Sequence, residues 1–181
     1  MTTQLEKLIA DRGEHAVGYF SCVVEPRQID GGAKCSADID NTELVEVYFD
    51  ETDKEVPYCK PLASNDAKGY IVMSSEVLHM QEYETKLSFY NGKNTMANVY
   101  VQEPGTTFKT TNFVCEAGDP EKGMYAQWTV GASETCPEAN GYFNIVAEKP
   151  EGNNVFLVWG VTEDATEELL GLDYVELYVM Q

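Results

Sequence analysis

Tyr174-Val175-Glu176-Leu177-Tyr178-Val179-Met180 alternates residue by residue, with Tyr174, Glu176 and Tyr178 on one side and Val175, Leu177 and Val179 on the other. Successive side chains of an extended strand point to opposite faces, so this stretch predicts a half-buried β-strand. Upstream of it, Val155 to Val161, Tyr142 to Glu148 and Tyr125 to Val130 carry the same β-branched and aromatic density. Thr106 to Cys115 follows a Pro104-Gly105 turn, and Met96 to Gln102 follows Asn91-Gly92, whose two positions tolerate positive φ. Gly69 to Met73, Glu55 to Cys59 and Ala16 to Val24 extend the series. In Leu44 to Phe49, one face carries Leu44, Glu46 and Tyr48 and the other is wholly apolar, with Val45, Val47 and Phe49. The expected fold is mainly β with short helices (β-rich α+β), with a barrel- or sandwich-like core of about nine or ten strands.

Helix signals are few. Thr3-Gln4-Leu5-Glu6 matches a capping box, with Leu5, Leu8 and Ile9 at helical spacing and Gly13 as a stop. A second helix is expected from Thr162 or Asp164 to Gly171, with acidic residues at its positive end. A third, weaker stretch covers Ser75 to Ser88. The expected organisation is an N-terminal arm or short helix over residues 1–15 and a β-rich domain over 16–181, within which 116–181 stands apart as an acidic subregion. Leu5, Leu8 and Ile9 form an apolar stripe and are the candidate partner-binding residues.

The 181 residues include 31 Asp and Glu against 12 Lys and Arg, for a net charge of −19. Residues 1–109 carry 18 acidic and 10 basic side chains, and residues 110–181 carry 13 and 2. Phosphate backbones and anionic lipid both attract Lys and Arg, so neither nucleic acid nor a membrane is an expected partner. The N-terminus lacks the basic-then-apolar pattern of a secretory signal. Cys22, Cys35, Cys59, Cys115 and Cys136 are odd in number and irregularly spaced, without C-x-x-C, and fit buried thiols in a reducing compartment better than disulfides or zinc.

Catalytic motifs are missing. His15 and His79 are the only histidines, and no nucleophile elbow, zinc-protease helix or phosphate-binding glycine loop occurs. Asp38-Ile39-Asp40-Asn41-Thr42-Glu43 begins like a calcium loop, but Glu43 stands where a Gly is required and Phe49 where a bidentate Glu is required. That leaves only a looser surface calcium site, and no cofactor is expected. The aromatics of the strands, among them Tyr19, Phe49, Trp128, Phe143, Phe156 and Trp159, are expected to fill sheet faces and core.

TTQLEKLIADRGEHAVGYFSCVVE (residues 2–25) and VLHMQEYETKLSFYNGKNTMANVYVQEPGTTFKTTNFV (residues 77–114) resemble small acidic proteins of tailed bacteriophages. These are encoded beside the major capsid protein and assigned to the head exterior. The shared pattern is a Leu-rich leader, a strand, and a middle block. In that block a turn at Phe89-Tyr90-Asn91-Gly92-Lys93 precedes Val99-Tyr100-Val101 and a further strand from Gly105 to Val114. The resemblance implies a non-enzymatic capsid decoration protein, made in the bacterial host cytoplasm and lodged on the virion head surface. Its partners would be the major capsid protein and further copies of itself on the lattice. Two other readings fit a small acidic chain: a DNA-mimic inhibitor of a host nucleic-acid-binding protein, and a virion carbohydrate-binding module.

Overall fold

The computed structural model describes residues 15–22, 26–74, 89–133, 136–162 and 172–180. These residues form thirteen strands. In chain order they are β1 (Gly18–Phe20), β2 (Ala33–Cys35), β3 (Leu44–Phe49), β4 (Pro57–Pro61), β5 (Tyr70–Val72), β6 (Met96–Ala97) and β7 (Val99–Val101). Then come β8 (Thr107–Thr110), β9 (Phe113–Val114), β10 (Tyr125–Val130), β11 (Gly141–Val146), β12 (Val155–Val161) and β13 (Val175–Val179). A mainly β fold is thus correct, but the expected nine or ten strands are too few.

Two of the extra strands arise because a predicted strand changes partner midway. Met96 to Gln102 breaks at Asn98, whose N–H is taken by Ser74 Oγ at 3.0 Å and whose carbonyl accepts from Met73 N. Thr106 to Cys115 breaks at Thr111-Asn112, where Asn112 N bonds to Thr110 Oγ1 at 3.0 Å. The third is β2, Ala-Lys-Cys, which has little intrinsic strand preference. It exists through its pairing with β4 on one side and β6 on the other. No helix occurs among the described residues. The three predicted helical stretches, beginning at Thr3, running from Thr162 or Asp164 to Gly171, and covering Ser75 to Ser88, lie outside them except for Thr162 itself.

Six strands form one sheet in the order β6-β2-β4-β3-β5-β7, and seven form another in the order β1-β8-β13-β12-β10-β11-β9. In the first sheet the two end strands, β6 and β7, are separated in the chain by Asn98 alone. In the second, β9 at one end follows β8 near the other after two residues. Strands so close in sequence can lie at opposite ends of a sheet only if the sheet curls round to meet itself. Residues 27–29 complete the first closure: Gln28 bridges Tyr100, Ile29 N donates to Val99 O, and the chain then turns at Gly31-Gly32 into β2. Closure leaves few unpaired edges, the usual weak point of a β protein.

The two interiors differ. Ala33, Cys35, Ile39, Val45, Cys59, Val72, Ala97 and Val99 fill the first sheet. Phe108, Trp128, Phe143, Phe156, Ile145 and Leu177 fill the second, with ring centroids 5.1–5.8 Å apart from Trp128 through Phe143 to Phe156 and Phe108. Leu44, Leu62, Ile71 and Met73 of the first sheet's region join that aromatic core, so the sheets share it. This corrects the expectation for β3. Leu44 is buried between the sheets and Val45 inside the first, while Phe49, expected on the apolar face, is 61% exposed where the strand runs out into solvent.

Candidate functional site

The described chain begins at His15, and its first residues are clamped. His15 Nδ1 lies 2.7 Å from Asp40 Oδ1, Ala16 N donates to Asp40 Oδ2 at 2.7 Å, and Val17 N donates to Thr111 Oγ1 at 3.0 Å. His15 also stacks on Tyr90 at 4.8 Å. Gly18 then passes so close to its neighbours that a Cβ would sit 2.2 Å from Thr42 Cγ2 and 2.5 Å from the Lys109 carbonyl oxygen. Only glycine permits that approach.

Asp40, Asn41, Thr42 and Glu43 are all buried, an unusual run of polar residues in a core. Each is matched to a partner. Asn41 exchanges two bonds with the Ser74 backbone, Thr42 Oγ1 meets Thr110 Oγ1 at 2.7 Å, and Asn91 Nδ2 reaches Ile39 O at 3.0 Å. Thr42 holds φ at 70°, a strained setting for a β-branched residue. Glu43 accepts from the Asn140 backbone N–H and, at 3.0 Å, from Asn140 Nδ2. Burial first, and the neighbouring Asp40 charge second, push its carboxyl up to about 8, against the opposing pull of the Asn140 bonds. Bonds from Asn140 to Glu43 and from Thr42 to Thr110 tie the first sheet's loop to the second sheet. A counterpart sits around buried Asn154, whose Oδ1 accepts from Gly69 N at 2.8 Å and Gln102 Nε2 at 2.9 Å. The segment considered as a calcium loop is therefore a joint between sheets. Among the described residues no three His, Cys, Asp or Glu are grouped to hold a metal ion.

Each sheet shows a distinct face to solvent. On the first, Met96, Lys34, Tyr58 and Tyr48 form a row across β6, β2, β4 and β3. Lys34 Nζ and Lys60 Nζ each lie 5.3 Å from a tyrosine ring centroid, over Tyr58 and Tyr48 respectively. On the second, the register of β12 against β13 shifts between Val158 and Gly160, and Trp159, at the shift, is 56% exposed. Its indole stacks on Tyr178, with centroids 5.3 Å apart and planes at 27°. Glu176 lies beside it, opposite Gly160, followed across the sheet by Lys109 and Tyr19. Lys109 Nζ donates to Tyr174 Oη at 3.0 Å and sits 4.1 Å from that ring's centroid. Burial works against its charge, but the Tyr174 bond and the nearby Tyr19, Tyr174 and Glu176 outweigh it and hold the ammonium above its ordinary range.

Leu5, Leu8 and Ile9, the partner-binding residues expected from sequence, lie outside the described residues. The strand aromatics divide. Phe108, Trp128, Phe143 and Phe156 are core as expected, whereas Tyr19, Phe49 and Trp159 are exposed. The Trp159 face was missed, although the alternation of Val155 to Trp159 signals it. Phe156 and Val158 are buried, and the odd-numbered residues point the other way. Cys35, Cys59 and Cys136 are buried thiols as expected, with Cys22 and Cys115 half-buried. Among the described residues no helix is long and apolar enough to cross a membrane.

No solved structure matches the chain. One curated relative, the SPbeta prophage-derived uncharacterized protein YonC of Bacillus subtilis (strain 168), is 27% identical over 137 residues, covering 74% of this chain and 75% of its own. The model of the YonC prophage protein family matches residues 11–141, which include the His15 clamp, the buried Asp40–Glu43 run and the whole first sheet. The molecule is phage-derived, and the chain belongs to the YonC prophage protein family.

Proposed function

We propose that this protein is a structural, non-enzymatic component of the phage particle that binds the outside of the capsid shell through the major capsid protein. Leu5, Leu8 and Ile9 serve as apolar anchors, and copies associate with one another on the lattice. The observation that carries the reading is the clamp at His15–Val17. An arm that holds a partner needs a rigid attachment to its own body, and here the residues just after the arm are tied to Asp40 and Thr111. Prophage family membership and the resemblance to head proteins support the same reading. The excess of acid suits a virion surface, since it repels both other particles and packaged DNA.

Quantitative protein analysis of purified phage particles tests this. A fixed ratio to the major capsid protein is expected, together with loss of shell binding in a Leu5→Glu/Ile9→Glu double variant that stays folded. Absence from particles, with abundance in the infected lysate, overturns it.

A further inference from the structure

We propose that the Trp159 face is a binding site for a neutral saccharide. Sugars present an apolar face of C–H groups ringed by hydroxyls, so they are recognised by an exposed flat ring with hydrogen-bonding groups beside it. Trp159 supplies the ring. Strand alternation sets it outward, the register shift between Val158 and Gly160 places Gly160 opposite Glu176 beside it, and Tyr178 backs one face of the indole, which fixes its orientation before any ligand arrives. Gly160 supplies the room for an acceptor. A Cβ there would stand 2.8 Å from Glu176 Oε2 and 3.2 Å from Glu176 Cβ, so the missing side chain is what lets this carboxylate lie against the Gly160 backbone, the residue next to Trp159 in the chain.

Donors and acceptors continue along the row. Glu176 Oε1 accepts from Ser21 Oγ, whose oxygen lies 3.2 Å from the Thr107 hydroxyl, and Lys109 and Tyr19 lie farther on. From β12 to β1 the row crosses three strand spacings, about 14 Å, the length of roughly three pyranose rings.

The surroundings choose among ligands. A polyanion is disfavoured by the chain's net charge of −19. An apolar protein surface would strip solvent from Glu176 and Lys109 without replacing it, whereas saccharide hydroxyls offer both donors and acceptors. Trp159, Gly160, Glu176 and Tyr178 lie beyond residues 11–141, the part matched by the family model, whereas Ser21, Lys109 and Tyr19 lie within it.

Titration of the purified protein with neutral tetrasaccharides built from glucose, galactose or N-acetylglucosamine tests this, with tryptophan emission and calorimetry as readouts. Of the two tryptophans, Trp128 is 1% exposed and out of a ligand's reach, so a change in emission on adding saccharide reports on Trp159. At least one series should give a saturable change. Binding should weaken about tenfold or more in Trp159→Ala, be largely kept in Trp159→Phe, and fall several-fold in Glu176→Gln. Because Trp159 is exposed, its replacement leaves the fold intact, which a thermal melt verifies. No saturable signal from any series at millimolar concentration overturns the proposal, as does binding undiminished in Trp159→Ala. Capsid binding that fails in Trp159→Ala, with no sugar response in the parent protein, overturns it too and makes this face a protein contact.

Discussion

The two sheets of this molecule solve one topological problem with opposite materials. In each, a strand broken at an asparagine, Asn98 in one and Asn112 in the other, links regions at opposite ends of the sheet, so that the sheet curls. The first is filled by Ala, Val, Cys and Ile, and the second by four large aromatic side chains. A sheet lined with small residues brings its opposing strands close and leaves no slack. A sheet lined with rings stands wider and depends on each ring to fill it. The first should therefore fail when a residue is enlarged, and the second when one is truncated.

Phe143→Ala gives the largest expected effect, a loss of about 3–5 kcal/mol in denaturant unfolding, since Phe143 contacts Trp128, Phe108 and Phe156. A loss under about 1 kcal/mol would mean that the wide sheet can collapse onto a cavity, which removes the contrast. In the first sheet the opposite change is the damaging one. Ala97→Leu should cost about 1–3 kcal/mol through overpacking, while Val99→Ala costs less than Phe143→Ala.

The joint between the sheets makes stability depend on pH. Folded Glu43 keeps its proton up to about pH 8, whereas in the unfolded chain it releases it near 4.5. Between those values the folded state holds a proton that the unfolded state lacks, so raising the pH favours unfolding. This contribution is fully present below about 4.5, is lost as the pH rises through about 8, and scales as about 1.4 kcal/mol per unit of displacement. Unfolding free energy measured from pH 5 to 9 should show that fall, and Glu43→Gln should flatten it. An unchanged slope in the variant would assign the pH dependence to another group.

A smaller effect is expected at the clamp. Gly18→Ala meets the Lys109 backbone as well as Thr42, and should cost about 1–3 kcal/mol, read as a lowered Tm. The finest distinction is which sheet opens first. Cys35 and Cys59, paired across β2 and β4 with sulfurs 3.9 Å apart, report on the first sheet, and Trp128 reports on the second. Thiol labelling and tryptophan emission should change together along a denaturant series, because Leu44 and Ile71 belong to the shared core. Separate transitions would show that the sheets unfold independently.

Much of the β content was legible in the sequence, because alternation is a local property. The stretches 44–49, 125–130 and 155–161 are strands with the bounds that the sequence predicts. What escaped were features set by partners. Ala33–Cys35 has no strand signal of its own, and nothing local in Met96 to Gln102 marks Asn98 as the point where one neighbour is exchanged for another. Trp159 had a local signal in its parity, but the register shift that sets Gly160 opposite Glu176 beside it is defined only by the pairing with β13.

The amino-acid sequence by itself determined the β class, the acidic surface and the low content of catalytic motifs, since each follows from composition or from a period of two along the chain. Tertiary structure alone decided the closure of the two sheets, the burial of Asp40 to Glu43 and the setting of Trp159 beside Glu176. The reason is physical. Each of these joins residues far apart in the chain, and only the folded packing brings their hydrogen bonds and side-chain volumes together.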